Sequence, residues 1–344
     1  MIAVLLAATG GAIWYKEHTP ADQLAEFCDG ALPVDEMLEL TDPDKEYADG
    51  PKFELDSWHP DRDSSIGESE GLPLSCRTTP SGVSVVVEAA DNPFNVYASH
   101  TFVGRDDTLP LPLGHGWTGL LADNDPDEDP GEPTVSVLLN CPDWKRSQGS
   151  GILVTVSAEG SRSTVARVAT VAAERTARRT GCGGEPGGKI DRVAGPAAGE
   201  KVAAGEAKGT CAGLRSRSRM RETAAGQAPV ESCVLGEDLV LRAYYEPFIL
   251  GTSENSEYRR PYGEFKKPAG ENGFGMWGSA RCSGVSKTAV YDISDTENSQ
   301  RNFVKRPVTA AEHDDLRRFA IRAAERHGCE TPVLPKSPRG NRDR

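Results

Sequence analysis

Val165 to Cys182, VARVATVAAERTARRTGC, carries the pattern from which the fold can be worked out. Val165, Val168, Ala169 and Ala172 recur at helical spacing, while Arg167, Glu174, Arg175 and Arg178 fall on the other side, so the stretch predicts an amphipathic helix lying on a sheet. Gly181 stands where a left-handed C-terminal cap belongs, and Cys182 follows it directly. The same construction returns near the other end of the chain. Leu316, Phe319, Ala320 and Ala323 form the apolar stripe, Thr309 and Glu312 make a capping box at its start, and Gly328 with Cys329 closes it.

Outward from the helices, the matches continue in order. Strand-like runs precede each helix: Thr134 to Cys141 and Ile152 to Ala158 before the first, Met276 to Cys282 and Thr288 to Ile293 before the second. Cys76 precedes the run Val83 to Ala89 as Cys233 precedes Leu239 to Tyr245, and Phe-Cys28-Asp-Gly parallels Thr-Cys211-Ala-Gly. This ordered set predicts an internal duplication with insertions in the first copy. The fold class expected is α+β, as two related domains, each an antiparallel sheet with a C-terminal helix packed on it and two disulfides. The first repeat is placed at 22–182 and the second at 210–330, with 183–209 as a flexible linker because it has few large apolar residues. Residues 331–344 read as a disordered tail.

Strand and helix lengths suggest how the cysteines pair. If Thr134 to Cys141 runs up, the next strand runs down and the helix runs up again, ending near Cys141. A helix of about 18 residues covers roughly 27 Å and a strand of about eight residues roughly 26 Å, so Cys182 can reach Cys141. The same argument joins Cys329 to Cys282. Elimination then leaves Cys28 with Cys76 and Cys211 with Cys233, although the four cysteines of each half could pair in other ways.

Composition bounds the compartment and the partners. A chain of 344 residues exceeds a comfortable single core, and a net charge of −13 disfavours nucleic acid as a partner. Eight cysteines without a C-x-x-C pair suit disulfides better than zinc or thioredoxin chemistry, which points to an oxidising compartment. Met1 to Tyr15 is uncharged and largely apolar and ends at Lys16, so residues 1–16 read as a membrane anchor or signal segment. It is shorter than the roughly 20 residues that span a bilayer and lacks preceding basic residues, so the true start is expected upstream. Ile13-Trp14-Tyr15 resembles the interfacial end of a single N-terminal anchor more than a cleavage site, which places the bulk of the chain outside the cytoplasm. Bulky Glu26-Phe27 before Cys28 argues against lipidation there.

No catalytic, cofactor or metal residue is assigned. The six histidines, His18, His59, His100, His115, His313 and His327, form no H-E-x-x-H pair, and no G-x-S-x-G, Walker or G-x-G-x-x-G motif follows a strand. The possible ligand loop is Leu111 to Leu121, where Gly-His115-Gly-Trp117 puts an imidazole and an indole on a flexible turn. The alternative is a turn whose Trp117 plugs the core, and the matching Gly270 to Gly278 keeps glycines and an aromatic but no histidine. Asp123 to Glu132 alternates carboxylates like a calcium loop but has Glu128 where glycine is needed, so it reads with Tyr47 to Glu70 as a solvated acidic loop. Arg215, Arg217, Arg219 and Arg221 would share one face of a strand, either meeting anionic envelope polymer or guarding a sheet edge.

The anchor followed by Phe-Cys28-Asp-Gly-Ala-Leu-Pro, the Leu-Pro-Leu-Gly-His-Gly-Trp loop, the strand ending Asn-Cys141-Pro and the helix ending Arg-Thr-Gly-Cys182 resemble uncharacterised membrane-anchored proteins of actinobacteria. A more distant similarity is to actinobacterial extracytoplasmic domains that begin with a cysteine before a short helix and use two disulfides per α+β unit. The resemblance carries no established activity with it; the lack of a catalytic motif together with the N-terminal tether leads to the expectation of a non-enzymatic envelope protein that binds a ligand or a protein partner. Two alternatives stand beside it. One is an envelope hydrolase or transferase using His115 with acidic groups from Asp123 to Glu132. The other is a structural component of a cell-wall or secretion complex.

Overall fold

A computed structural model describes residues 30–40, 74–77, 83–90, 109–123, 132–144, 150–195, 199–203, 205–215, 219–249, 267–272, 275–296 and 307–336, the side chains of 74–77 and 272 excepted. The first sheet holds β1 (Leu74–Arg77), β2 (Ser84–Ala89), β3 (Leu111–Pro112), β4 (Gly119–Ala122), β5 (Thr134–Asn140) and β6 (Gly151–Ser157) in the order β1-β2-β6-β5-β4-β3. The second holds β7 (Glu200–Ala203), β8 (Arg219–Glu222), β9 (Val230–Leu235), β10 (Leu239–Tyr245), β11 (Ala269–Asn272), β12 (Gly275–Arg281) and β13 (Thr288–Asp295) in the order β7-β8-β9-β10-β13-β12-β11. All neighbours are antiparallel. The series β1-β2-β6-β5-β4 and β9-β10-β13-β12-β11 have the same sequence order and neighbours, so the two halves share one topology, with β3 added to the first and β7 and β8 to the second.

Helix α1 (Val34–Leu40) packs against α2 (Arg162–Thr180), and α3 (Ala310–Arg326) closes the second half. The apolar stripe of α2 lies on Val135, Val137 and Leu139 of β5 and Ile152, Val154 and Val156 of β6. Leu316, Phe319, Ala320 and Ala323 of α3 lie on Leu241, Tyr245, Met276 and Tyr291. Both helices end at the expected glycines, and α3 begins at its expected capping box. Ser161 caps α2 and Gly181 ends it at φ 67°, while the Thr309–Glu312 capping box starts α3 and Gly328 follows its end at φ 63°.

Strands alternate their side chains, so each sheet has a second face, and these two faces meet. Leu120, Leu138 and Leu153 of the first sheet join Val230, Tyr244 and Phe248 of the second half in one buried cluster. The layers therefore run helix, sheet, sheet, helix. Close backbone approach knits the seam: Gly119 N–H donates to Gln227 O at 3.2 Å, and an added Cβ on Gly151 would press on Val285.

Three disulfides occur among the described residues. Cys141–Cys182 and Cys282–Cys329 each tie the end of a strand to the end of the following helix, with Cα atoms 4.7 and 4.0 Å apart, and Cys211–Cys233 ties the second half's entry turn to β9. Cys28, and the side chain of Cys76 on β1, lie outside the described residues, as do residues 1–16, expected to be an anchor or signal segment. No helix among the described residues is long and apolar enough to cross a membrane.

The stretch 183–209 departs from its reading as a flexible linker. Ile190 and Val193 enter the first core, and Glu200–Ala203 is the edge strand β7. So few large side chains suffice because the segment is held through its backbone. Gly188 N–H donates to His115 O at 2.7 Å, and Trp117 Nε1 donates to Gly188 O at 2.7 Å. Residues 331–336, expected within a disordered tail, lie along β12 instead, where Val333 bridges Ser279. Residues 337–344 lie outside the described ones.

Candidate functional site

The second half carries an open groove of about 500 Å³ between the first turns of α3 and the segment Thr331–Pro335. Met276 and Leu316 form its buried floor, Pro332 and Leu334 one wall, and His313 and Arg317 the helix side. The capping box fixes the first turn of α3, and residues 313 and 317, one turn apart, then share the side facing the groove. His313 is almost wholly buried, and its Nε2 lies 3.0 Å from Glu271 Oε1 on β11. Asp314 is engaged by Arg318 one turn on, at 2.7 Å, which leaves Arg317 as the exposed cation of the rim. An apolar floor with charges at its margin suits a ligand with an apolar body and a polar end.

A second polar cluster sits at the other end of α3. Glu231 on β9 is buried and points to the helix side of the sheet, in register with Ala243. Its carboxylate accepts hydrogen bonds from Arg326 Nε at 3.2 Å and from Arg326 Nη2, and His327 Nε2 lies 3.0 Å from Oε1. The His327 ring stacks on Tyr245 with centroids 3.7 Å apart, and the Tyr245 hydroxyl donates to Ala323 O at 3.0 Å. Burial opposes the charge on Arg326, but hydrogen bonding to Glu231 and that group's charge outweigh it and hold the guanidinium above its ordinary value. Burial and the nearby Glu231 charge push the Tyr245 phenol far up; burial likewise raises Tyr291. The cluster fastens the helix to the sheet, its polar groups engaged by one another.

The residues singled out in the sequence fall in separate places. His115 is exposed at φ 53° in the turn between Gly114 and Gly116, whereas Trp117 is 2% exposed and packs into the first core. Trp117 precedes β4, but Trp277 lies within β12, so the two aromatics are not equivalent in the repeat. Asp123 pairs with Arg162, and residues 124–131 and 41–73 lie outside the described ones. Of the four arginines, Arg219 and Arg221 sit on the outer side of β8 while Met220 and Glu222 are buried; Arg217 is outside the described residues. His313 on α3 and His327 at its C-terminal cap each meet a carboxylate from a distant strand, a pairing that spacing along the helix could not reveal. A glutamate in the core phase of an apolar strand, Glu231 between Val230 and Cys233, was the available signal.

Among the described residues, no group of three histidine, cysteine, aspartate or glutamate side chains is placed to hold a metal ion. In comparisons with known proteins, no family model, no curated protein and no solved structure matches this chain.

Proposed function

We propose that this protein is a membrane-anchored, extracytoplasmic binding protein without catalytic activity, which presents the groove beside α3 to a ligand or a protein partner at the cell envelope. One observation carries this reading: three disulfides staple strands to helix ends and to the entry turn of the second half. Such bridges form and persist in oxidising compartments. Each closes a loop of 22 to 47 residues and contributes roughly 3 to 4 kcal/mol by constraining the unfolded chain. A rigid two-sheet body suits presentation of a preformed groove, because little conformational entropy is lost on binding. The apolar stretch before the first half supplies the tether.

The test is fractionation of cells producing the full chain with its native N-terminus, followed by protease treatment of intact spheroplasts. The reading predicts a membrane-bound protein that resists alkaline extraction and is digested from outside. Recovery in the cytosol with reduced thiols, or protection from external protease, would contradict it.

A further inference from the structure

We propose that Cys282–Cys329 is a reducible latch, and that opening it releases the segment Glu330–Pro335 from β12 and so opens the groove. The three described bridges differ in access. Cys211 and Cys233 are fully buried, Cys141 and Cys182 are 3% and 8% exposed, and Cys282 and Cys329 are both only half-buried. Thiol–disulfide exchange needs a thiolate to reach sulfur along the bond, so the outermost bridge is the one a reductant meets.

What the latch holds is lightly fastened. The segment bonds to β12 through Glu330 N–H to Arg281 O at 2.7 Å, Val333 N–H to Ser279 O at 2.8 Å and Ser279 N–H to Val333 O at 3.1 Å. Its side chains add little burial: Val333 is 52% exposed, and Pro332 and Leu334 are half-buried. Such a segment sits at the low end of local stability once its covalent tie is gone. The rest of α3 is secured independently by its apolar stripe and by Glu231 holding Arg326 and His327. Opening is thereby confined to the strap. Gly278 fits the same account, because an added Cβ would run into Val333 O and Leu334.

The reaction is a two-electron exchange with a dithiol reductant. One reductant thiolate attacks a sulfur of the bridge, forming a mixed disulfide and expelling the other cysteine as a thiolate that takes up a proton. The second reductant thiol then displaces the remaining cysteine. The reductant leaves as its disulfide, and Cys282 and Cys329 are left as two thiols. The freed strap uncovers the backbone of β12 at Ser279 and removes the wall formed by Pro332 and Leu334. This device stands apart from any ligand of the groove, since it concerns the strap alone.

The experiment treats the full oxidised chain with limiting dithiothreitol, traps thiols with iodoacetamide, maps the peptides, and follows amide hydrogen exchange. Among the three bridges, Cys282 and Cys329 are expected to be alkylated first. Exchange at Ser279 and Val333 should then rise at least tenfold, with Val290 and Cys182 unchanged. Gly278→Ala, which leaves the bridge in place, should speed both strap exchange and reduction of Cys282–Cys329. Earlier or simultaneous opening of Cys141–Cys182 or Cys211–Cys233 would overturn the proposal. So would strap amides that stay protected after cleavage, or loss of protection throughout the second sheet.

Discussion

Trp117→Ala tests whether the glycine-rich turn is a core plug that also holds the connecting segment. The indole is 2% exposed among Leu113, Leu121, Ile190 and Val193, so its truncation should cost about 3 to 5 kcal/mol. Trp117→Phe keeps most of the ring volume but gives up the hydrogen bond to the exposed Gly188, and should cost about 0.5 to 1.5 kcal/mol. Gly187 supplies the decisive control. A Cβ there would overlap the indole, while its backbone is not in the left-handed region, so Gly187→Ala should cost about 1 to 3 kcal/mol by overpacking alone. In the Trp117→Ala background that clash disappears, and the same glycine change should be nearly neutral. Urea unfolding of the four proteins, followed by circular dichroism, measures the cycle. Additive costs, or a Trp117→Ala loss below about 1 kcal/mol, would refute the packing of 183–195 against this turn.

Three further outcomes follow from the buried polar groups. Glu231→Gln should destabilise the second half by about 2 to 4 kcal/mol, below the full cost of breaking a buried pair because Arg326 is 22% exposed, and adding Arg326→Leu should recover part of the loss in thermal unfolding. Glu222→Ala removes an acceptor that serves Lys208 N, Gly209 N and Cys211 N, each at 3.0 Å; the cost should be about 2 to 4 kcal/mol, with Cys211–Cys233 reforming more slowly in oxidative refolding. Tyr245 and Tyr291 both ionise less readily in the fold than at the ordinary value of 10.0, so their contribution is complete below pH 10. Above it, stability should fall by about 1.4 kcal/mol per pH unit for each, and their phenolate absorbance should appear only with unfolding. A difference spectrum at 295 nm across an alkaline titration reads this directly.

The helices and the strands beneath them were legible because their signals are local. Val165, Val168 and Ala172 repeat at helical spacing, and Gly181 and Gly328 mark the ends. The duplication was legible from cysteine contexts, and the strand order agrees with it. Packing of sheet on sheet was not foreseen, although TVSVLLN gave a hint: Leu138 interrupts strict alternation and serves the seam while Val137 and Leu139 serve the first core. The role of 183–195 was hidden because its contacts are backbone groups meeting a tryptophan some seventy residues earlier, for which side-chain pattern carries no signal. The groove was hidden for a related reason, since Thr331–Pro335 has no periodicity of its own and is placed by one disulfide and a few backbone bonds. His115 stood out in the sequence, yet among the described residues the imidazoles that meet carboxylates are His313 and His327, whose partners Glu271 and Glu231 come from separate strands.

Non-reducing peptide mapping of the protein purified from its native envelope reads out whether the chain is two copies of one disulfide-stapled unit. Cys141 should be found joined to Cys182, Cys211 to Cys233 and Cys282 to Cys329. Free thiols at these six positions, or a different pairing among them, would contradict that architecture.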